Sequence, residues 1–217
     1  MNFILCCLIL CHSALAQVSA PDQYKITAFK VSSDSIRVDG ILNEDDWQKT
    51  ESIARFIQRT PHFGQPATED TMVKILYDDD HLYVGAVCYH KDMRDIVATE
   101  LAHRDVAYDD LLAFVLDTFH DHIKAYCFEV NPLGAKEESY VDGAESNQIN
   151  LDWNEVWEVR TKINDKHWTA AFKIPLRILR FPDKDVQTWG FNTVRLLRKK
   201  NETIYWAPIP PQFTVTN

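Results

Sequence analysis

The chain is expected to be all-β: an antiparallel β-sandwich, jelly-roll-like, with one or two short helical turns. Three observations lead there. Apolar and polar residues alternate with period two in run after run. Turn-forming residues separate those runs at short, regular intervals. No stretch of the 217 residues carries apolar side chains at helical spacing for more than a turn or two.

The elements follow in order. Ser35–Val38 is the first expected strand, closed by the turn pair Asp39-Gly40. Asn43 caps a short helical turn through Trp47, with Glu44 and Asp45 where the helix dipole favours acids. Met72–Tyr77 and Leu82–Tyr89 flank Asp78-Asp79-Asp80, and Leu82, Val84, Ala86 and Cys88 share one face. Leu111–Asp117 and Ala125–Val130 follow, the latter ending at Asn131-Pro132-Leu133-Gly134. In Trp157–Ile163 the apolar residues alternate with Glu158, Arg160 and Lys162, the pattern of a half-buried strand. Trp168, Ala170, Phe172 and Ile174 line one side of the next strand, and Pro175 opens a helical turn to Leu179. Gly190–Leu197 and Thr203–Ala207 complete about nine strands.

At the N-terminus, Phe3 to Leu10 is almost wholly apolar and leads to the small-x-small stretch Ser13-Ala14-Leu15-Ala16. The reading is an export signal over 1–16, then an extended leader over 17–30, one sandwich domain over 31–210 and the start of a linker over 211–217. The run is too short to stay in a bilayer as a spanning helix. Export places the domain in the periplasm, at the outer membrane or in the medium. Cys6, Cys7 and Cys11 then leave with the signal, so Cys88 and Cys127 remain in a compartment that permits disulfides. They are either two small buried hydrophobes or a cross-strand bridge.

Charge excludes one class of partner. With 23 Lys+Arg against 32 Asp+Glu the net charge is −9, a field that repels a phosphate backbone. Enzyme signatures are absent: no Gly-x-Ser-x-Gly elbow, no His-Glu-x-x-His, no phosphate-cradling glycine loop. Among 32 acids, pairs able to hydrolyse a glycosidic bond arise by number alone, so hydrolysis stands as an alternative only. Asp78, Asp79, Asp80, Asp109 and Asp110 are candidate Ca²⁺ ligands, because clustered carboxylates suit a cation that takes several oxygens. Asp is equally at home in the turns between strands.

Aromatic residues supply the remaining chemistry. A sugar ring stacks its C–H face on Trp or Tyr, while its hydroxyls need fixed polar partners. Trp47, Trp157, Trp168 and Trp189 fit the core, whereas Tyr108, Tyr140, Trp153 and Trp206 are uncommitted.

Five blocks, in order, carry a family resemblance. They are Ile36-Arg37-Val38-Asp39-Gly40-Ile41-Leu42-Asn43-Glu44 with Trp47; Thr71 to Asp79 closed by Leu82-Tyr83-Val84; Leu116-Asp117-Thr118-Phe119 with Phe128 to Gly134; Trp168 leading to Phe172-Lys173-Ile174-Pro175; and Trp189-Gly190-Phe191-Asn192 with Arg195. On these the chain resembles the family 9 carbohydrate-binding modules, and more closely the N-terminal module of large secreted or outer-membrane-associated bacterial proteins. The resemblance implies a sandwich that binds an oligo- or polysaccharide without cleaving it, in some relatives with bound calcium, and followed by a longer β-rich region as partner. It also implies a pair of aromatics clamping the ring. Tyr108 and Trp206 stand nearest those positions, with Trp153 as a further stacking surface and Glu129 and Asn131 as hydroxyl partners. Ala113 stands where the family has an acid, Glu129 where it has a base, His167 where it has glycine, and Ala171 where an acid is common. The alternatives are a sugar-independent interaction domain and a module associated with a glycoside hydrolase.

Overall fold

A computed structural model describes residues 24–142 and 149–210 of the chain. The export signal, the start of the leader and the segment 211–217 lie outside these residues. Twelve strands form: β1 (Phe29–Lys30), β2 (Ile57–Thr60), β3 (Thr71–Tyr77), β4 (His81–Tyr89), β5 (Leu111–Asp117), β6 (Lys124–Val130), β7 (Lys136–Asp142), β8 (Ile149–Asn150), β9 (Glu158–Ile163), β10 (His167–Pro175), β11 (Gly190–Leu197) and β12 (Glu202–Tyr205). One α-helical turn, α1 (Asp46–Lys49), precedes β2. The small sheet runs β1-β3-β4-β10-β9 and the large sheet β2-β12-β11-β5-β6-β7-β8. All pairings are antiparallel except β1 with β3.

Alternation explains the core. Val73 and Ile75 of β3, Leu82, Val84, Ala86 and Cys88 of β4, and Trp168, Ala170, Phe172 and Ile174 of β10 all point inward from the small sheet. Leu112, Phe114 and Leu116 of β5 and Tyr126, Phe128 and Val130 of β6 meet them from the large sheet. Aromatic rings join the layers: Phe114 meets Phe172 edge-on at 5.1 Å, and Phe128 meets Trp157 edge-on at 5.2 Å. Offset and edge-on pairs of this kind contribute about 1 kcal/mol each beyond the area they bury.

The segment 31–50 covers the outer side of the small sheet. Trp47 is buried there with Val31, Ile36, Leu76 and Tyr83, and its indole nitrogen donates to Glu44 at 3.1 Å. Gly85 makes room for the ring, since a Cβ at that position would sit 2.7 Å from it. Gly40, at φ +79°, turns the chain against the backbone of Thr161, and its carbonyl accepts from the Thr169 hydroxyl.

Two expectations are corrected, the first strand and the strand count. Ser35–Val38 is a loop, because Ile36 finds its burial under Trp47 rather than in a strand ladder. Along the described part of the leader, Phe29–Lys30 adds a parallel strand beside β3, and Tyr24 packs edge-on to Trp206 at 5.8 Å. Eight of the nine strands expected from alternation form, and β1, β2, β7 and β8 join them. Of the two readings left open for the cysteines, the unbridged one holds: Cys88 and Cys127 are free thiols on opposite sheets, Cys88 on the inner side of one and Cys127 on the outer side of the other.

Gly85→Ala tests the seat of Trp47. The added methyl forces the indole or the strand to move, and overpacking of this kind costs about 2 kcal/mol. Urea unfolding is expected to show that loss, with an unchanged slope.

Candidate functional site

Strand periodicity leaves the odd residues of β5 and β6 on the outside of the large sheet. Ala113, Val194 and Tyr205 form a patch there under Ile209, with Cys127 and Leu196 beside them. Val106 packs with Leu111, Ala135 and Leu196 at one end of the same face. The loop 96–110 thus folds over that end, and Tyr108 stands at its rim with 78% of its surface exposed.

Glu129 lies on this face, paired in register with Ala113 on one side and Glu137 on the other. Burial lifts its carboxyl to about 7; the neighbouring Glu137 adds to the rise, while the Cys127 thiol and Arg198 oppose it. Cys127 donates to it at 3.4 Å. Burial raises Glu137 as well, and it pushes the Cys127 thiol well above its ordinary range with help from Glu129. At the far side of the patch Arg59 donates to the Tyr205 hydroxyl at 3.4 Å. Two half-buried acids thus stand one strand apart on this face, both held above the usual carboxylate range chiefly by burial.

The loop bearing Tyr108 is held by carboxylates. Asp109 accepts from the backbone and hydroxyl of Thr99, both at 2.9 Å, from Glu100 N at 3.0 Å and from Asn131 Nδ2 at 2.7 Å. Burial works against its charge, but those hydrogen bonds outweigh it and keep the carboxyl below its usual value. Asp110 caps Arg198 N at 2.8 Å and faces His90 at 3.4 Å. Burial raises Asp110 and lowers His90, with Arg195 pushing the histidine further down.

The five sugar-contact candidates do not form one cluster. Tyr108 and Glu129 share the outer face. Trp206 is only 6% exposed and joins the inner core against Phe191 and Tyr24, so it offers no stacking surface. Trp153 is half-buried on Tyr126 at 5.1 Å and Phe128 at 5.8 Å. Asn131 is fully buried and uses both ends of its amide: it donates to Glu100 O and Asp109, and accepts from Leu133 N and Ala135 N. It is the clasp between the loop and the β6–β7 turn. The residues missed from sequence are Glu137, Arg59 and Tyr205. Only strand register brings them to Glu129, and the polar sequence of β7 concealed that register.

The carboxylates nominated for Ca²⁺ serve the fold. Asp78 accepts from Asp80 N, His81 N and the Tyr83 hydroxyl, all at 2.7–2.8 Å. Asp79 pairs with Lys30 at 2.6 Å, and Asp80 is exposed in the same turn. Among the described residues no group of three His, Cys, Asp or Glu is placed to hold a metal ion. Nor does any described helix have the length and apolarity to cross a membrane.

Two sheets around an aromatic core define a β-sandwich. Among solved structures the chain is similar to a candidate carbohydrate-binding protein from Bacteroides uniformis, with TM-score 0.67 and 15% identity over 87% of this chain and 91% of that one. It is also similar to a family 9 carbohydrate-binding module from Caldicellulosiruptor kristjanssonii in complex with cellotriose, with TM-score 0.57 and 19% identity over 83% and 84% of the two chains. The glucose complex of a family 9 module from that organism gives 0.58 and 19% over 83% and 85%. The fold is thus that of the family 9 modules. No protein-family model and no curated protein matches the chain.

Glu129→Gln tests the electrostatics of the face. The folded-state value near 7 lies above the unfolded 4.5, so the stability tied to its proton is full below about 4.5 and is lost as pH rises through 7. The amide cannot ionise. The variant is expected to gain on the order of 2 kcal/mol over the natural chain at pH 8 and to lose that advantage by pH 4.5. Melting curves at the two pH values check it.

Proposed function

We propose that this chain is a non-catalytic carbohydrate-binding module that acts outside the cytoplasm and holds an assembly against glycan. The observation that carries the reading is the outer face of the large sheet, where exposed Tyr108 stands at the rim above the half-buried pair Glu129 and Glu137. Tyrosine offers its ring to the C–H face of a sugar. The acid pair offers adjacent hydrogen-bonding oxygens, which suits vicinal hydroxyls. Family 9 modules with cellotriose and glucose support the ligand class through shared fold. The apolar N-terminal sequence supports export.

A second reading, a sugar-independent interaction module, is favoured by a specific feature. Trp206 is withdrawn into the core, and Ile209 covers Ala113, where a sugar on this face would otherwise rest. The face is then a docking surface for protein.

Calorimetric titration of the chain with cello-, xylo- and manno-oligosaccharides separates the two. Saturable heat is expected for one neutral sugar class, and Tyr108→Ala is expected to weaken it about tenfold, or 1.4 kcal/mol. Absence of heat from folded protein overturns the sugar reading in favour of the interaction module, and saturable heat with unchanged affinity in both Tyr108→Ala and Glu129→Gln overturns this face as its site.

A further inference from the structure

The opposite end of the sandwich contains a groove of about 640 Å³, within the range of small-molecule sites. One wall is the turn after β3, with Asp80 and His81; the other is the segment after β10, with Arg177, Arg180 and Phe181. The walls are tied together, since Leu176 N donates to Asp80 O at 2.7 Å. The backbone of Arg180 is fixed from the large sheet as well: its N–H donates to the Tyr126 hydroxyl at 3.0 Å and its carbonyl accepts from Thr118.

Charge within the groove is unbalanced. Asp79 at its edge is neutralised by Lys30. Among the described residues neither Arg177 nor Arg180 has a side-chain hydrogen bond or an ion-pair partner. In a chain carrying nine more acids than bases, this groove is lined by two unpaired guanidiniums against one unpaired carboxylate, that of Asp80. The floor is apolar, and Phe181 is backed by Trp189 at 5.3 Å. Phe119, next to the Thr118 that holds Arg180, is 47% exposed. Planar guanidinium forks match a carboxylate in two-point contact, and a neighbouring ring accepts the apolar face of a sugar.

We propose that this groove binds an acidic saccharide, one bearing a carboxylate. Arg177 and Arg180 take the carboxylate, Asp80 accepts a ring hydroxyl, and Phe181 with Trp189 behind it supplies the apolar wall. The groove is separate from the Tyr108 face: a strand of seven residues lies between the two ends, roughly 20 Å. The inference therefore stands independently of the neutral-sugar site. Both guanidiniums are exposed, so binding weakens with salt.

The test is calorimetry at low ionic strength on the full chain, with tri-galacturonate as probe. Its methyl ester is the comparison, having the same rings without the charges. Saturable binding of the acid is expected, with affinity at least tenfold weaker for the ester. The double variant Arg177→Gln/Arg180→Gln is expected to lose tenfold or more, and Tyr108→Ala to bind as the natural chain does. Should the double variant melt early, Arg177→Gln alone, at an exposed position, gives the same reading with a smaller loss. No binding of the acid, equal binding of the ester, or indifference to the arginine changes overturns the proposal. Loss on Tyr108→Ala moves the ligand to the other face and overturns it too. Full displacement by equimolar inorganic sulfate reduces the groove to a plain anion site and overturns the saccharide assignment. Neutral oligosaccharide binding that depends on Tyr108 is read in the same experiment, so each site fails or stands on its own.

Discussion

The sandwich depends on a charged residue at its centre. Arg195 on β11 is fully buried between the sheets, and its guanidinium reaches across to the small sheet. It donates to Asp70 O and Thr71 Oγ1 at 3.0 Å and to Tyr89 O at 2.8 Å. Those acceptors sit where β3 begins and β4 ends, so one side chain fixes the spacing of three strands at one end of the molecule. Apolar packing elsewhere holds the layers together without setting how they slide past one another. Directed hydrogen bonds from a planar cation do set it. Isolated in that position the charge would be severely unfavourable, and three neutral acceptors with Asp110 nearby make it tolerable.

The same end carries the candidate binding face, and the two facts are linked. Loop 96–110 crosses this end and must be anchored without an internal ladder. Asp109, Asp110 and Asn131 anchor it by accepting from or donating to its backbone and that of its neighbours. Polar groups that a ligand-binding loop might present are therefore turned inward. What remains outward is Tyr108 at the rim and, one strand in, the acids of β6 and β7. The face is positioned by a buried polar network beneath it.

The sandwich was legible because its inner faces are written in period two, and the strands with that pattern are the ones recovered. Two of the unexpected strands invert it. In β7 the inward residue Glu138 is an acid, fully buried with the Trp157 indole nitrogen at 2.9 Å and His103 at 3.1 Å. In β2 the inward Gln58 is buried and donates to Pro66 O. Alternation cannot flag a polar residue whose partners come from distant segments. The site was less legible for the same reason. Trp206 follows a strand, where inside and outside differ by one residue, and it turns inward by donating its N–H to Thr193 O. Asn131 looked like a free turn amide because its four partners are spread over 35 residues of sequence. Glu137 entered only through its register with Glu129.

Aromatic side chains show how the two ends of the molecule differ. The core takes Trp157, Trp168 and Trp206, and the cover over the small sheet takes Trp47. A sandwich with this many buried indoles has few left for ligand, so any sugar affinity must lean on charge and hydrogen bonding rather than on a two-ring clamp. The two candidate sites carry charges of opposite sign: half-buried acids on the face that Tyr108 borders, and the guanidiniums of Arg177 and Arg180 beside Phe181. On the proposed reading a carboxylated ring is disfavoured at the first and favoured at the second, so discrimination between the two ends would rest on charge rather than on the shape of the scaffold.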